Sequence, residues 1–489
     1  MRFRSLVLLV VVVGVAAMAV RPSFDTDTWW HLRAGQWIVE NLQAPRIDSF
    51  SSTMRGSPWA YPGWLAQVVM LGVYRLGGLA GLTAFSAVLV GVAFLFLWPL
   101  LEGPLLLRAA ILLLAAATSA VYWAARPHIA SFALAALFLW ALDQWHRGRR
   151  PRVIWLLPLA MALWVNLHGG FAIGFILLLM YFAAALVDLV AIPVRHRGTW
   201  GEAWRVRRGE VATLAAVLLL CLAAGAVNPH GPAILAYPFK TVSLPVLQSY
   251  VQEWQPPDLR TLQLLPFLGM LLFLIVALGI RRTTPTTTEL FTAGGWMALA
   301  LLAVRNVPVF ALAAAPVIAR HTSAALRSVD RGPASGTTVR EKRALNAALG
   351  AGLLTLLLAW TAVQASPGRT RAHLEAQVPV AAVQSMRELR PDGNLFNDYN
   401  WGGYVLWELS PAYSTFVDGR TDVFSAEVFE DYVLLWATQP GWEAAIERWN
   451  IAVVLLPPRS PLVTALREAG WEARFSDDQA VVLLRPRSG

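Results

Sequence analysis

Eleven apolar runs set what this chain can become. They lie near residues 5–20, 79–101, 104–122, 127–145, 153–167, 170–193, 211–227, 262–280, 288–304, 306–320 and 344–363. Segments of this length and apolarity cross a bilayer as helices, because lipid offers the backbone no hydrogen-bond partner. Composition agrees, since 57% of the 489 residues are hydrophobic and only 14% are charged. The net charge of +10 does not point to nucleic acid, because the arginines sit in short clusters between apolar runs, as cytoplasmic loops require. A lone Cys221, inside an apolar run, excludes an intramolecular disulfide framework and a cysteine zinc site. Residues 5–20 also have the build of a signal peptide, and either reading puts residue 21 outside the cytoplasm.

The run at 62–77 is ambiguous, and the arginines decide it. Counted as a span, it places Arg147/Arg149/Arg150/Arg152, Arg195/Arg197/Arg205/Arg207/Arg208, Arg281/Arg282 and Arg340/Lys342/Arg343 on the outer side. Left out, it puts all of them inside with Arg2 and Arg4. The expectation is therefore about eleven transmembrane helices in residues 1–365, with 21–78 as a first outer loop carrying interfacial helices. After residue 365 the composition becomes that of a globular domain. Strands at 414–417, 451–456 and 480–484 alternate with helical stretches near 424–436, 441–449 and 461–469, a small α/β domain over 366–489. The chain is thus expected to be a multi-pass protein of the cell inner (plasma) membrane with its C-terminal domain extracytoplasmic. No internal repeat is evident, and 331–338 reads as a cytoplasmic linker.

This topology sorts polar motifs that played no part in fixing it. Asp25/Asp27, Arg126/His128, Asn166/His168, Asn228/His230, Glu253/Trp254 and Arg305/Asn306 all fall on the outer face. Asp25 and Asp27 supply paired carboxylates that can bind a divalent cation, magnesium or manganese, or serve as a general base; the competing reading makes Asp27 an N-cap for 28–42. Arg126 and Arg305 end apolar runs, where a guanidinium can hold a phosphate or snorkel. His128, His168 and His230 lie on three different spans and would bind a metal only by converging. Glu253 sits in Ser249-Tyr250-Val251-Gln252-Glu253-Trp254-Gln255-Pro256, a loop with no basic neighbour in sequence. Trp59, in Pro58-Trp59-Ala60-Tyr61, and Trp401 and Tyr404, in Asp398-Tyr399-Asn400-Trp401-Gly402-Gly403-Tyr404, offer rings for sugar stacking or for ordinary packing. Asp418-Gly419-Arg420-Thr421-Asp422 is a second dense turn, either hairpin geometry or a binding edge.

Taken in this order, these residues resemble a type C glycosyltransferase, specifically the catalytic subunit of oligosaccharyltransferase. Asp27-Thr28-Trp29-Trp30-His31-Leu32-Arg33 is similar to that family's first-loop stretch, which puts Asp27 at its metal-binding or catalytic aspartate. Gly56-Ser57-Pro58 and Tyr61-Pro62-Gly63 look like its later first-loop segment. The loop around Glu253 resembles the external-loop motif whose glutamate contacts acceptor and metal, and Arg305 resembles the donor-phosphate arginine. Asp398 to Tyr404 is a rearranged likeness of the soluble-domain motif. One departure matters: the family's second acidic pair is missing, and Arg126-Pro127-His128 stands in its place. The soluble domain is also short.

The resemblance implies a polyprenyl-phosphate-linked sugar donor whose chain stays among the membrane lipids, and a protein, lipid or glycan acceptor. Asp27 would be base or metal ligand, with Asp25 and Glu253 assisting and Glu253 a second metal ligand. Arg305, Arg126, His128, Asn166, His168, Trp254, Trp59, Trp401 and Tyr404 would bind substrate. The rival readings are a transporter or lipid-binding protein and a subunit of an envelope complex. Transporters show inverted repeats and midplane charges, whereas the ionisable motifs here crowd the outer ends.

Overall fold

The computed structural model describes residues 1–22, 24–195, 200–243, 251–280, 283–329 and 342–486. Arg197, Ser249, Tyr250, Arg281, Arg282, Arg340 and the 331–338 linker, singled out above, lie outside them. The chain divides into two compact units. The first holds Met1–Ser23, Thr83–Pro238 and Gln248–Gln364; the second holds Phe24–Leu82, Phe239–Leu247 and Ala365–Gly489.

The first unit is helical, and every apolar run falls on a helix. Among the described residues seven helices are long and apolar enough to cross a membrane, among them Leu105–Tyr122, Gly169–Ala191 and Val304–Arg327. Phe3–Ala19 and Val153–Leu167 are shorter apolar helices. One residue marks a backbone break beside the ambiguous run, within the candidate span Trp64–Leu100. Helix continues over Trp64–Leu97, but Gly78 breaks it at φ 57° and ψ −149°, a backbone state that only glycine adopts without strain. The 64–77 segment is therefore a separate helical piece from the apolar run that follows it. Near the other end of the unit, a π-helical turn at Leu290–Gly294 interrupts the helix that starts at Thr287.

In the second unit a four-stranded sheet forms from residues after 390. β1 (Asn394–Asn397) runs parallel to β2 (Ile451–Leu456), which pairs antiparallel with β4 (Val481–Leu484), itself antiparallel to β3 (Glu472–Ser476). The helices Ala426–Trp436, Trp442–Arg448 and Pro461–Glu468 occupy the stretches read as helical. Two expectations are corrected. Residues 414–417 are not a sheet strand, because their backbone is engaged by the first outer loop: Ser52 N–H donates to the Thr415 carbonyl at 2.8 Å and Thr53 Oγ1 to the Phe416 carbonyl at 2.7 Å. β3 was not anticipated, since an edge strand reading Glu-Ala-Arg-Phe-Ser is largely exposed and shows no apolar face.

The first outer loop and the C-terminal segment therefore share one core. It joins Trp30, Phe50 and Trp59 to Phe396, Phe416, Phe424 and Val454.

Candidate functional site

The polar motifs of the first unit meet around two short 3-10 turns. Gln252–Trp254 and Val304–Asn306 are tied together by the Val304 N–H donating to the Gln255 carbonyl at 3.0 Å. This tie fixes what the first turn presents. Glu253 accepts an ion-paired hydrogen bond from Arg126 Nη2. Trp254 lies beneath the Arg305 guanidinium, whose central carbon is 4.0 Å from the ring centroid, a cation–π contact. One loop thus neutralises one arginine and orients the other. Burial favours a neutral Glu253, but the charges of Arg126 and Arg305 overcome it and hold the carboxyl down to about 2.

Behind the arginines stands a histidine pair. His128 Nε2 donates to the Tyr122 carbonyl at 2.6 Å, and its ring centroid lies 6.3 Å from that of His168. His168 Nδ1 accepts from the Gly170 N–H at 3.0 Å, so this imidazole is neutral with its proton on Nε2. Trp164 Nε1 donates to Ser131 Oγ at 2.7 Å, and that hydroxyl lies 2.8 Å from His168 Nδ1, which locks the ring.

Two expectations change here. Asn166 is spent on structure: its Nδ2 donates to the Ala162 and Val227 carbonyls at 2.8 and 2.6 Å, and its Oδ1 accepts from Asn228. Glu253 does not fit a divalent cation, because cationic side chains already face its carboxylate. Among the described residues no group of three or more His, Cys, Asp or Glu is arranged to hold a metal.

In the second unit the two aspartates take different jobs. Asp25, not Asp27, caps the Thr26–Asn41 helix: its Oδ1 accepts from the Asp27 and Thr28 N–H groups at 3.1 and 3.2 Å, and Thr28 Oγ1 accepts from its own N–H in return. That reciprocal box leaves Asp27 in the first turn with a different neighbour. A Cβ built on Gly419 would lie 1.9 Å from Asp27 Oδ1. The carboxylate therefore rests against a glycine backbone, which explains the glycine between Asp418 and Arg420. Gly419→Ala is expected to displace the Asp27 carboxylate and to lower activity at least tenfold while the melting temperature of the purified protein falls little. An unchanged rate would mean that the contact does not position Asp27.

The flanking residues form a buried ionic lock. Arg420, 1% exposed, donates through Nε and Nη2 to Asp418 at 2.8 and 2.7 Å and through Nη1 to Asp48 at 2.5 Å. Its guanidinium carbon lies 5.0 Å from the ring centroids of both Phe50 and Trp59. Asp48 also accepts from the Phe50 and Ser51 N–H groups. Removing one member leaves uncompensated buried charge, so Arg420→Met is expected to cost about 3–5 kcal/mol, read from denaturant or thermal unfolding. Asp48 and Arg420 are far apart in sequence and carry no shared motif, which is why the lock was not anticipated.

The aromatic expectations are corrected as well. Trp59 is 2% exposed, Trp401 7% and Tyr404 5%, and Tyr404 packs edge-on against Trp29 at 5.1 Å. These rings are core, leaving no open face for a sugar.

No protein-family model and no curated protein matches the chain. Solved structures do. The apo oligosaccharyltransferase of Archaeoglobus fulgidus aligns with 92% of this chain and 69% of its own, at 13% identity and a TM-score of 0.54. An oligosaccharyltransferase of the same organism, in complex with an inhibitory peptide and a dolichol-phosphate, aligns over the same shares, at 13% identity and a TM-score of 0.53. ArnT from Cupriavidus metallidurans aligns over 98% and 97%, at 15% identity and 0.46. The chain has a type C glycosyltransferase fold, a polytopic helical membrane body with a small C-terminal α/β domain.

Proposed function

We propose that the chain is a membrane glycosyltransferase that moves a sugar or glycan from a polyprenyl-(di)phosphate donor to a protein, lipid or glycan acceptor. The reaction is assigned to the outer face of the inner (plasma) membrane. The observation that carries this reading is the convergence of Arg126 and Arg305 on one short loop, with Trp254 fixing the plane of the second guanidinium. Planar guanidinium groups at the ends of apolar helices suit a phosphate whose lipid tail remains in the bilayer. The archaeal neighbour solved with a dolichol-phosphate supports a donor of that chemistry.

In the chemistry we assign, an acceptor nucleophile gives its proton to Asp27. Its freed electron pair forms a bond to the anomeric carbon, and the bond from that carbon to the phosphate oxygen breaks. The departing phosphate keeps that electron pair, and Arg305 stabilises its charge. Asp25, Arg126, His128 and His168 shape the sites without taking a proton. A transporter reading places its ionisable groups near the bilayer midplane, whereas these charges stand at helix ends and in short turns.

Mass spectrometry of envelope glycans and glycoproteins, comparing the parent strain with one lacking the gene, tests the reading. A missing sugar or glycan on one acceptor class is expected. An unaltered envelope with normal donor-lipid pools would overturn it.

A further inference from the structure

The charges around the two 3-10 turns can be counted. Arg126 and Arg305 bring two positive charges, and Glu253 subtracts one through its ion pair with Arg126. His168 is neutral by its hydrogen bonds. Among the described residues Arg305 makes no carboxylate ion pair, and its guanidinium lies over the uncharged face of Trp254. Among Arg126, Glu253 and Arg305 one positive charge is therefore left without an ion-pair partner, on the guanidinium stacked over Trp254.

We propose that Glu253 sets the charge of the donor that this site accepts, selecting a polyprenyl monophosphate diester, with one negative charge, over a diphosphate diester with two. This deepens the glycosyltransferase reading and rests on the cluster being the donor-phosphate site. A monophosphate diester matches the single open charge and leaves the Arg126–Glu253 pair in place. A diphosphate brings a second negative charge that must either face the Glu253 carboxylate or break its ion pair, and both cost binding energy in a partly desolvated site. Glu253 stays ionised at neutral pH, because the neighbouring guanidiniums hold its carboxyl down to about 2. The assignment differs from the role that the family resemblance implies for this residue, as it makes Glu253 neither a metal ligand nor an acceptor contact.

The test uses the full chain in nanodiscs and two probes without a sugar: methyl farnesyl phosphate, with one negative charge, and its methyl diphosphate counterpart, with two. Dissociation constants are measured for wild type, Glu253→Gln, Arg126→Gln and the double variant. Wild type is expected to bind the monophosphate at least as tightly as the diphosphate. Glu253→Gln removes one negative charge and should shift the preference toward the diphosphate by about tenfold. Arg126→Gln should weaken both probes, and the double variant, with its net charge restored to one, should regain the wild-type preference. The double variant keeps the test valid if a single change disturbs the loop.

A preference that does not move in Glu253→Gln, or a diphosphate affinity that falls in it, overturns the charge assignment while leaving the phosphate site intact. Failure of both probes to bind, or binding that Arg305→Leu does not alter, overturns the phosphate-site reading itself.

Discussion

Asp27→Asn is expected to lower transfer by about 100- to 10,000-fold, while the amount of folded protein stays at the wild-type level. The amide is isosteric with the carboxylate and preserves the contact with Gly419, but it cannot take a proton. Helix capping is not at stake, because Asp25 performs it through the Asp27 and Thr28 N–H groups. The neighbouring aspartate gives the control. Asp25→Asn keeps an accepting oxygen and is expected to leave the rate within about tenfold. Asp25→Ala should cost about 1 kcal/mol of stability through loss of the cap. Activity that survives Asp27→Asn but not Asp25→Asn would exchange the two roles, and survival of both would remove the base from the account. Rates and melting temperatures of the purified variants decide among these.

Arg305 carries the second large effect. With Leu in its place, affinity for a polyprenyl phosphate is expected to fall between about 10- and 100-fold, the worth of a charge-assisted hydrogen bond. Lysine keeps the charge but loses the planar fork and the stacking on Trp254, so Arg305→Lys should lie between wild type and Arg305→Leu. A snorkelling anchor would rank differently, since lysine snorkels as well as arginine and leucine at a helix end costs little. Equal affinities in all three forms, measured in nanodiscs, would assign Arg305 to the interface.

The membrane body was legible because bilayer-spanning helices announce themselves over some twenty residues at a time. All eleven apolar runs are helical, and Gly78 marks a backbone break between the 62–77 run and its neighbour. Arg126, Arg305, His128 and His168 were each visible as polar residues at the ends of apolar runs, and Glu253 and Trp254 as members of a loop between two of them. Their pairing was not, because Arg126 and Glu253 are 127 residues apart and only the tie between the 252–254 and 304–306 turns brings them into register.

Aromatic residues misled for the opposite reason. Trp59, Trp401 and Tyr404 sit in motifs rich in turn residues, which read as exposed, yet the first outer loop buries its rings in the core it shares with the C-terminal segment. A single sequence does not reveal that residues 50–59 and 396–424 cover one another. The same is true of Gly419, whose lack of a side chain has meaning only once the Asp27 carboxylate is seen against it.

On the proposed reading this chain consumes a lipid-linked sugar. Membranes from the strain lacking the gene, supplied with its own extracted polyprenyl-linked sugars and acceptors, allow the lipid pool to be followed by mass spectrometry. With the wild-type chain added back in nanodiscs, one sugar-loaded polyprenyl species should decline as the free polyprenyl phosphate or diphosphate rises in step. The Asp27→Asn chain should leave both unchanged. Donor lipids that remain constant with the wild-type chain, in the presence of the full acceptor extract, would contradict the account.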